Sequence, residues 1–152
     1  MGFIDYEKAF DSIEHFAIFE TLRKIGVHEI YVKIIENIYK NASARIHLDN
    51  HVSDSFPIER GVRQGDPISP KLFTAAIEDV FQKANLKEGI NIEDETLKDL
   101  RFADDVALCT KNIEDMERNL NLLNTESKLV GLKIHKGKTK YMANHTTKKT
   151  SE

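Results

Sequence analysis

The sequence contains no tryptophan and only one cysteine, three prolines and seven glycines among its 152 residues. A single cysteine excludes a disulfide framework and fits a reducing, intracellular setting. The low content of glycine and proline excludes fibrous and low-complexity chains. No apolar run reaches the roughly 20 residues of a membrane span, and Asp5 carries a charge too early for a signal peptide. The composition therefore predicts an intracellular globular domain without a membrane partner.

The charged residues are distributed unevenly along the chain. The net charge is −3, but residues 87–126 hold 5 basic and 11 acidic side chains, whereas residues 127–152 hold 7 basic and 1 acidic. A basic end beside an acidic centre would bind phosphates at one place and cations at the other. A solvated, lysine-rich surface explains the same charges more simply, so charge alone does not decide between the two.

Hydrophobic spacing predicts an α+β domain with two layers, an antiparallel sheet and helices on one of its faces. Residues 1–145 are expected to form this domain, and residues 146–152 a polar, disordered tail. The predicted segments are a strand at 2–6, helices at 16–25, 29–40 and 70–84, paired strands at 44–49 and 52–58, a hairpin at 97–102 and 106–110, a helix at 113–130, and a last hairpin at 132–135 and 139–143.

Two helix starts are predicted from capping residues. Asp11 is followed three residues later by Glu14, which resembles a capping box, so Asp11 is interpreted as a structural residue. Ser69 is predicted to cap the following helix, with Pro70 at its first position.

Three aspartates are candidates for a shared site. Asp104 and Asp105 lie between two apolar strand segments, and Asp5 ends another. Adjacent carboxylates repel each other unless positive charge lies between them, although an aspartate-rich turn is also an ordinary structural feature. If Asp5 lies beside the pair in one sheet, the oxygens of the three carboxylates suit Mg²⁺, and two such ions would support nucleotidyl transfer.

Four segments together resemble the palm motifs of reverse transcriptases from non-LTR retrotransposons, in their usual order. The Asp-Asp pair belongs to one of them, the aromatic-x-Asp-Asp turn at 102–105, and the order extends over almost the whole chain. The others are the segment FIDYEKAFD at 3–11, the segment RGVRQGDPISP at 60–70, and the segments GLKI and KTK at 131–134 and 138–140.

The resemblance implies an RNA-directed DNA polymerase that uses two Mg²⁺ ions, with Mn²⁺ as an alternative. By position, Asp5 and Asp104 would be the main metal ligands. Asp105 would complete the acidic turn, and the backbone carbonyl of Tyr6 would help to hold one ion.

The resemblance also implies roles around the nucleotide. Phe10 would exclude a ribose 2′-hydroxyl, although it also fits a core aromatic. Gln64 and Gly65 would contact the incoming nucleotide or the template. Arg63 would reach a phosphate and Lys138 the departing pyrophosphate, while a surface arginine and a solvated lysine are the structural alternatives.

The implied partners are an RNA template, a DNA primer and a deoxynucleoside triphosphate, in the nucleus of the host. The fingers segments expected before Asp5 and the thumb expected after His145 are missing, so the chain is expected to be a partial palm. Two alternatives stay open. One is a non-catalytic remnant that serves as an interaction module, and the other is an intron-encoded or telomerase-like polymerase.

Overall fold

A computed structural model describes residues 1–49 and 51–144 of the chain. Within these residues the chain forms a mixed α+β fold, which confirms the predicted class. The helices are α1 (Ala9–Ser12), α2 (His15–Lys24), α3 (Glu29–Lys40), α4 (Ser69–Ala84) and α5 (Ile113–Leu129). The strands are β1 (Gly2–Ile4), β2 (Ser43–Ala44), β3 (His47–Leu48), β4 (His51–Val52), β5 (Phe56–Pro57), β6 (Ile90–Ile92), β7 (Glu95–Leu97), β8 (Asp99–Phe102), β9 (Asp105–Leu108) and β10 (Lys140–Tyr141).

The main sheet has four antiparallel strands in the order β10-β1-β9-β8. The N-terminal strand β1 is therefore central, between the last strand and the hairpin that β8 and β9 form. Three further pairs, β2 with β5, β3 with β4 and β6 with β7, are small two-stranded sheets.

One face of the main sheet is covered by helices. Alternate residues of the two central strands, Gly2, Ile4, Val106 and Leu108, are buried on this face. A Cβ atom on Gly2 would lie 2.7 Å from the sulfur of Met116 in α5, so glycine lets the helix approach the strand closely. The helices α2, α4 and α5 pack on one another and complete the hydrophobic core.

The opposite face of the sheet is open. Phe3 in β1 pairs with Ala107 in β9, and Ala107 pairs with Leu100 in β8. Phe3 and Leu100 remain 45% and 50% exposed, because no helix in the described part of the chain covers this side. These three residues form a row across the sheet, which we call the apolar row.

Three local predictions were wrong. Asp11 lies inside α1 and caps no helix, and Glu14, which precedes α2, makes no side-chain capping bond. The N-cap position of α4 is Ile68, and Ser69 is its first residue. The last hairpin does not form, because Lys140–Tyr141 pairs with β1 and Ile134 bridges to Tyr6. Pairing with a distant strand replaces the local turn.

No helix within residues 1–49 and 51–144 is both long enough and apolar enough to cross a lipid bilayer. The predicted tail at 146–152 lies outside the described residues.

Candidate active site

The sheet register brings Asp5 to the Asp104-Asp105 hairpin. Ile4 pairs with Val106, so the next position along each strand places Asp5 opposite Asp105. Ala103 and Asp104 form the turn between β8 and β9. The three aspartates thus lie at one end of the same two neighbouring strands, although 99 residues separate Asp5 from Asp104 in the sequence.

The alternation of side chains points two of these aspartates to the open face. Ile4 and Val106 are buried under the helices, and a strand turns successive side chains to opposite faces. Asp5 is half-buried and Asp105 is exposed. They lie one register step beyond the apolar row, on the side of the sheet that a substrate can reach.

The loop that follows α5 surrounds Asp5. The backbone carbonyl of Asp5 accepts a 2.7 Å hydrogen bond from the His135 amide. The backbone amide of Asp5 donates to the Thr139 hydroxyl at 3.4 Å. The ammonium of Lys138 lies 3.7 Å from Oδ2 of Asp5, with the lysine side chain 67% exposed. The structure therefore places the predicted Lys138 beside a predicted metal ligand, and its part in catalysis stays a prediction.

The carboxylate of Asp5 has unused capacity to accept hydrogen bonds. Its Oδ2 atom is buried without a hydrogen bond, which is uncommon for a buried charged oxygen. Carboxylate oxygens are the ligands that Mg²⁺ prefers, so this atom is a candidate ligand for such an ion. Among the described residues, no group of three or more His, Cys, Asp or Glu side chains is arranged to hold a metal. The three-carboxylate cluster therefore stays a prediction.

Tyr6 faces away from the open side of the sheet. Its ring is buried, and its hydroxyl makes a 2.9 Å hydrogen bond with the Ser127 hydroxyl of α5. The β-bridge between Tyr6 and Ile134 is formed by hydrogen bonds of the Asp5 carbonyl and the Glu7 amide. The Tyr6 carbonyl therefore takes no part in this bridge. Burial raises the pKa of Tyr6 to about 12, although the bond with Ser127 opposes the shift.

Because the pKa of Tyr6 is raised, the stability of the fold varies with pH in the alkaline range. A tyrosine whose pKa is higher in the folded state stabilises the fold fully below pH 10, and this stability is lost as pH rises towards 12. Two pKa units correspond to roughly 2–3 kcal/mol. We expect Tyr6→Phe to be less stable than wild type at pH 8 by about 1 kcal/mol, because Ser127 loses its partner.

Near pH 12 the order of stability should reverse, so that Tyr6→Phe is more stable than wild type. Urea unfolding between pH 8 and pH 12 measures this, and the titrations that both proteins share cancel in the difference. A constant difference across this range would contradict the buried position of the hydroxyl.

A cavity of about 340 Å³ lies between the motif segments at 3–11 and 60–70. Four of the predicted nucleotide-binding residues line it, namely Phe10, Arg63, Gln64 and Gly65. The ring of Phe10 stacks on the buried ring of Phe73, with 4.4 Å between centroids. Phe10 therefore packs on the core and also forms a wall of the cavity. The exclusion of ribose stays a prediction.

The guanidinium of Arg63 is engaged with α3. It donates to the backbone carbonyl of Ile38 at 3.0 Å and lies 5.9 Å from the centre of the Tyr39 ring. These contacts fasten the loop before α4 to the end of α3. Contact of Arg63 with a phosphate stays a prediction.

Two residues of the site had no functional role in the sequence interpretation. Asp11 accepts a 2.8 Å hydrogen bond from the amide nitrogen of Gln64. Gly61 has φ +84° and rests against the backbone of Asp11, where a Cβ atom would lie 2.8 Å from its Cα. The only sequence signal was the position of both residues inside recognised motifs, because a contact across 50 residues leaves no local periodicity.

Comparison with known proteins identifies the class. A family profile described as reverse transcriptase (RNA-dependent DNA polymerase) matches residues 1–150. The chain therefore belongs to the reverse transcriptase family.

Its relatives are proteins of non-LTR retrotransposons. The Pol polyprotein of the type-2 retrotransposable element R2DM of Drosophila melanogaster is 30% identical over 135 residues, which is 89% of this chain and 13% of that protein. A 149 kDa protein of transposon TX1 from Xenopus laevis is 28% identical, over 76% of this chain and 9% of its own length. The RNA-directed DNA polymerase from the mobile element jockey of Drosophila melanogaster is 24% identical, over 73% and 12%. The chain thus spans about an eighth of the length of R2DM.

Proposed function

We propose that this chain is the palm of an RNA-directed DNA polymerase that adds deoxynucleotides to a primer 3′-hydroxyl on an RNA template. The observation that supports the proposal is the pairing of Ile4 with Val106. Asp5 directly follows Ile4, and Asp105 directly precedes Val106, next to the hairpin turn that holds Asp104. Family membership supports the same reaction. The partners would be the template, the primer and the nucleotide, together with fingers and thumb segments of a longer polyprotein in the nucleus.

Asp5, Asp104 and Asp105, with the Tyr6 carbonyl, would hold two Mg²⁺ ions. Bound there, these ions would neutralise phosphate charge and favour the deprotonated 3′-hydroxyl. Mn²⁺ would suit the same oxygen ligands. The proposal is supported by the buried Oδ2 of Asp5, which makes no hydrogen bond, and by the position of the three aspartates at one end of β1 and β9.

The side chains of the protein itself would do the positioning. Phe10, held by its stack on Phe73, would close the sugar side of the cavity against a 2′-hydroxyl. Gln64 and Gly65, which line the same cavity, would contact the nucleotide or the template. Lys138 would donate its ammonium proton to the departing pyrophosphate, and until substrate binds it partly balances the charge of Asp5.

Incubation of the chain with an RNA template, a DNA primer, labelled dNTPs and Mg²⁺ tests this proposal. We expect incorporation by wild type and none by Asp104→Ala, because the variant lacks a carboxylate of the hairpin. Asp94→Ala is the matched control, since Asp94 is an exposed residue of the turn between β6 and β7. Equal incorporation by Asp104→Ala and wild type would refute the site. No incorporation by any of them would favour the non-catalytic remnant.

A further inference from the structure

A hydrogen bond between Asp11 and Gln64 joins the motif segments at 3–11 and 60–70. The Nε2 atom of Gln64 donates to Oδ1 of Asp11 at 2.8 Å, across 53 residues of sequence. Gln64 lines the cavity of about 340 Å³ that also contains Phe10 and Gly65. It also lines a neighbouring cavity of about 410 Å³, to which Asp11 contributes. Gln64 therefore stands between the two cavities, with one end fixed by Asp11.

The backbone keeps this pair in place. The amide of Gly61 donates to the carbonyl of Ile13 at 2.7 Å, and the amide of Val62 donates to the carbonyl of Phe10 at 2.7 Å. These two bonds join the loop that carries Gln64 to α1, which carries Asp11, and to the residue that follows α1. The side-chain bond is thus formed between two segments that are already docked.

The chemistry of the pair fixes the orientation of the glutamine. An ionised carboxylate only accepts hydrogen bonds, so the NH₂ end of the Gln64 amide must face Asp11. The carbonyl Oε1 is then the free end, and it offers an acceptor. Without Asp11 the amide would present either end with little preference, since its two ends are nearly identical in shape.

We propose that Asp11 is a positioning residue, which orients Gln64 so that its Oε1 accepts a hydrogen bond from a hydroxyl or amino group of the nucleotide. This inference rests on the proposed function, because it requires a nucleotide in the smaller cavity. It assigns Asp11 a role in substrate affinity through Gln64, and no direct contact with the reacting atoms.

The test compares Asp11→Asn with wild type. Asparagine keeps the shape of aspartate but offers a donor as well as an acceptor, so it no longer selects one orientation of Gln64. We expect the KM for dNTP to rise about fivefold, with kcat within about twofold and an unchanged unfolding temperature. Asp54→Asn, at an exposed position between β4 and β5, is the matched control and should leave KM unchanged.

A double-mutant cycle separates positioning from other roles. In a Gln64→Ala background, Asp11→Asn should have no further effect on KM, because no amide is left to orient. The same fivefold rise in both backgrounds would overturn the inference, and so would an unchanged KM in the single variant. A fall in unfolding temperature that matches the loss of affinity would show a structural role instead.

The inference can fail separately from the proposed function. If wild type incorporates nucleotide and Asp11→Asn does not change KM, positioning by Asp11 is wrong and the polymerase assignment stands. If wild type incorporates nothing, equilibrium binding of dTTP with Mg²⁺ decides. If Asp11→Asn binds dTTP about fivefold more weakly than wild type, positioning by Asp11 is supported. Equal binding by the two proteins, or no binding by either, would overturn it.

Discussion

Asp5→Asn is expected to lower primer extension at least about 1,000-fold, which corresponds to roughly 4 kcal/mol of transition-state stabilisation. Asparagine has the same shape as aspartate but lacks the negative charge that attracts a divalent cation most strongly. Among the described residues, Oδ2 of Asp5 is also the one buried carboxylate oxygen that makes no hydrogen bond.

The fold should tolerate this change. Asp5 uses its backbone for the bonds with His135 and Thr139, and its side-chain contact with Lys138 is long and partly exposed. We therefore expect the unfolding temperature to stay within about 2 °C of wild type, since an exposed ion pair contributes little. Asp94→Asn serves as the control in the same assay. A loss of less than tenfold for Asp5→Asn would argue against a metal ligand at this position.

Gly61→Ala is expected to destabilise the fold by about 3–5 kcal/mol. A non-glycine residue at φ +84° is strained by about 1–3 kcal/mol. The added Cβ would also lie 2.8–2.9 Å from three backbone atoms of Asp11, and that contact can be relieved only by moving the docked segments apart. A loss of this size is a large part of the total stability of a small domain.

Gly65→Ala provides the matched comparison for this prediction. Gly65 has φ +87°, nearly the same as Gly61, but a Cβ at Gly65 would meet nothing within 4 Å. The difference between the two variants isolates the steric contact from the backbone strain. Chemical denaturation should show Gly61→Ala less stable than Gly65→Ala by about 2 kcal/mol. Equal losses would mean that the contact with Asp11 is not important for stability.

The sequence was most informative where one element is defined by its own residues. Helix α3 has the predicted bounds, Glu29–Lys40, because its apolar residues recur at helical spacing up to the polar residues beyond Lys40. The same pattern does not reveal which apolar residues are covered. Val32 is fully buried, whereas Ile30 and Ile34 are half exposed or more. Coverage depends on neighbouring elements, which the periodicity of one helix does not contain.

Long-range pairings were harder to predict. The alternation at 132–135 and 139–143 favoured a local hairpin, but both segments pair with the N-terminal region instead. The bond between Asp11 and Gln64 was missed for the same reason. Motif resemblance supplied what local patterns lacked. It implied that Phe10 faces the nucleotide and that Gln64 and Gly65 contact the nucleotide or the template. The three residues line one cavity, and their contact with either ligand stays a prediction.

The apolar row also affects the electrostatics of the neighbouring carboxylates. Phe3, Ala107 and Leu100 lie one step from Asp5 and Asp105 on the open face, and they offer water no hydrogen-bonding groups. A primer–template duplex laid across this face, as the proposed reaction requires, would displace the water above the row. The local dielectric constant would then fall beside the carboxylates, and each charge–charge interaction there would become stronger. Substrate binding would in this way prepare the environment in which the reaction takes place.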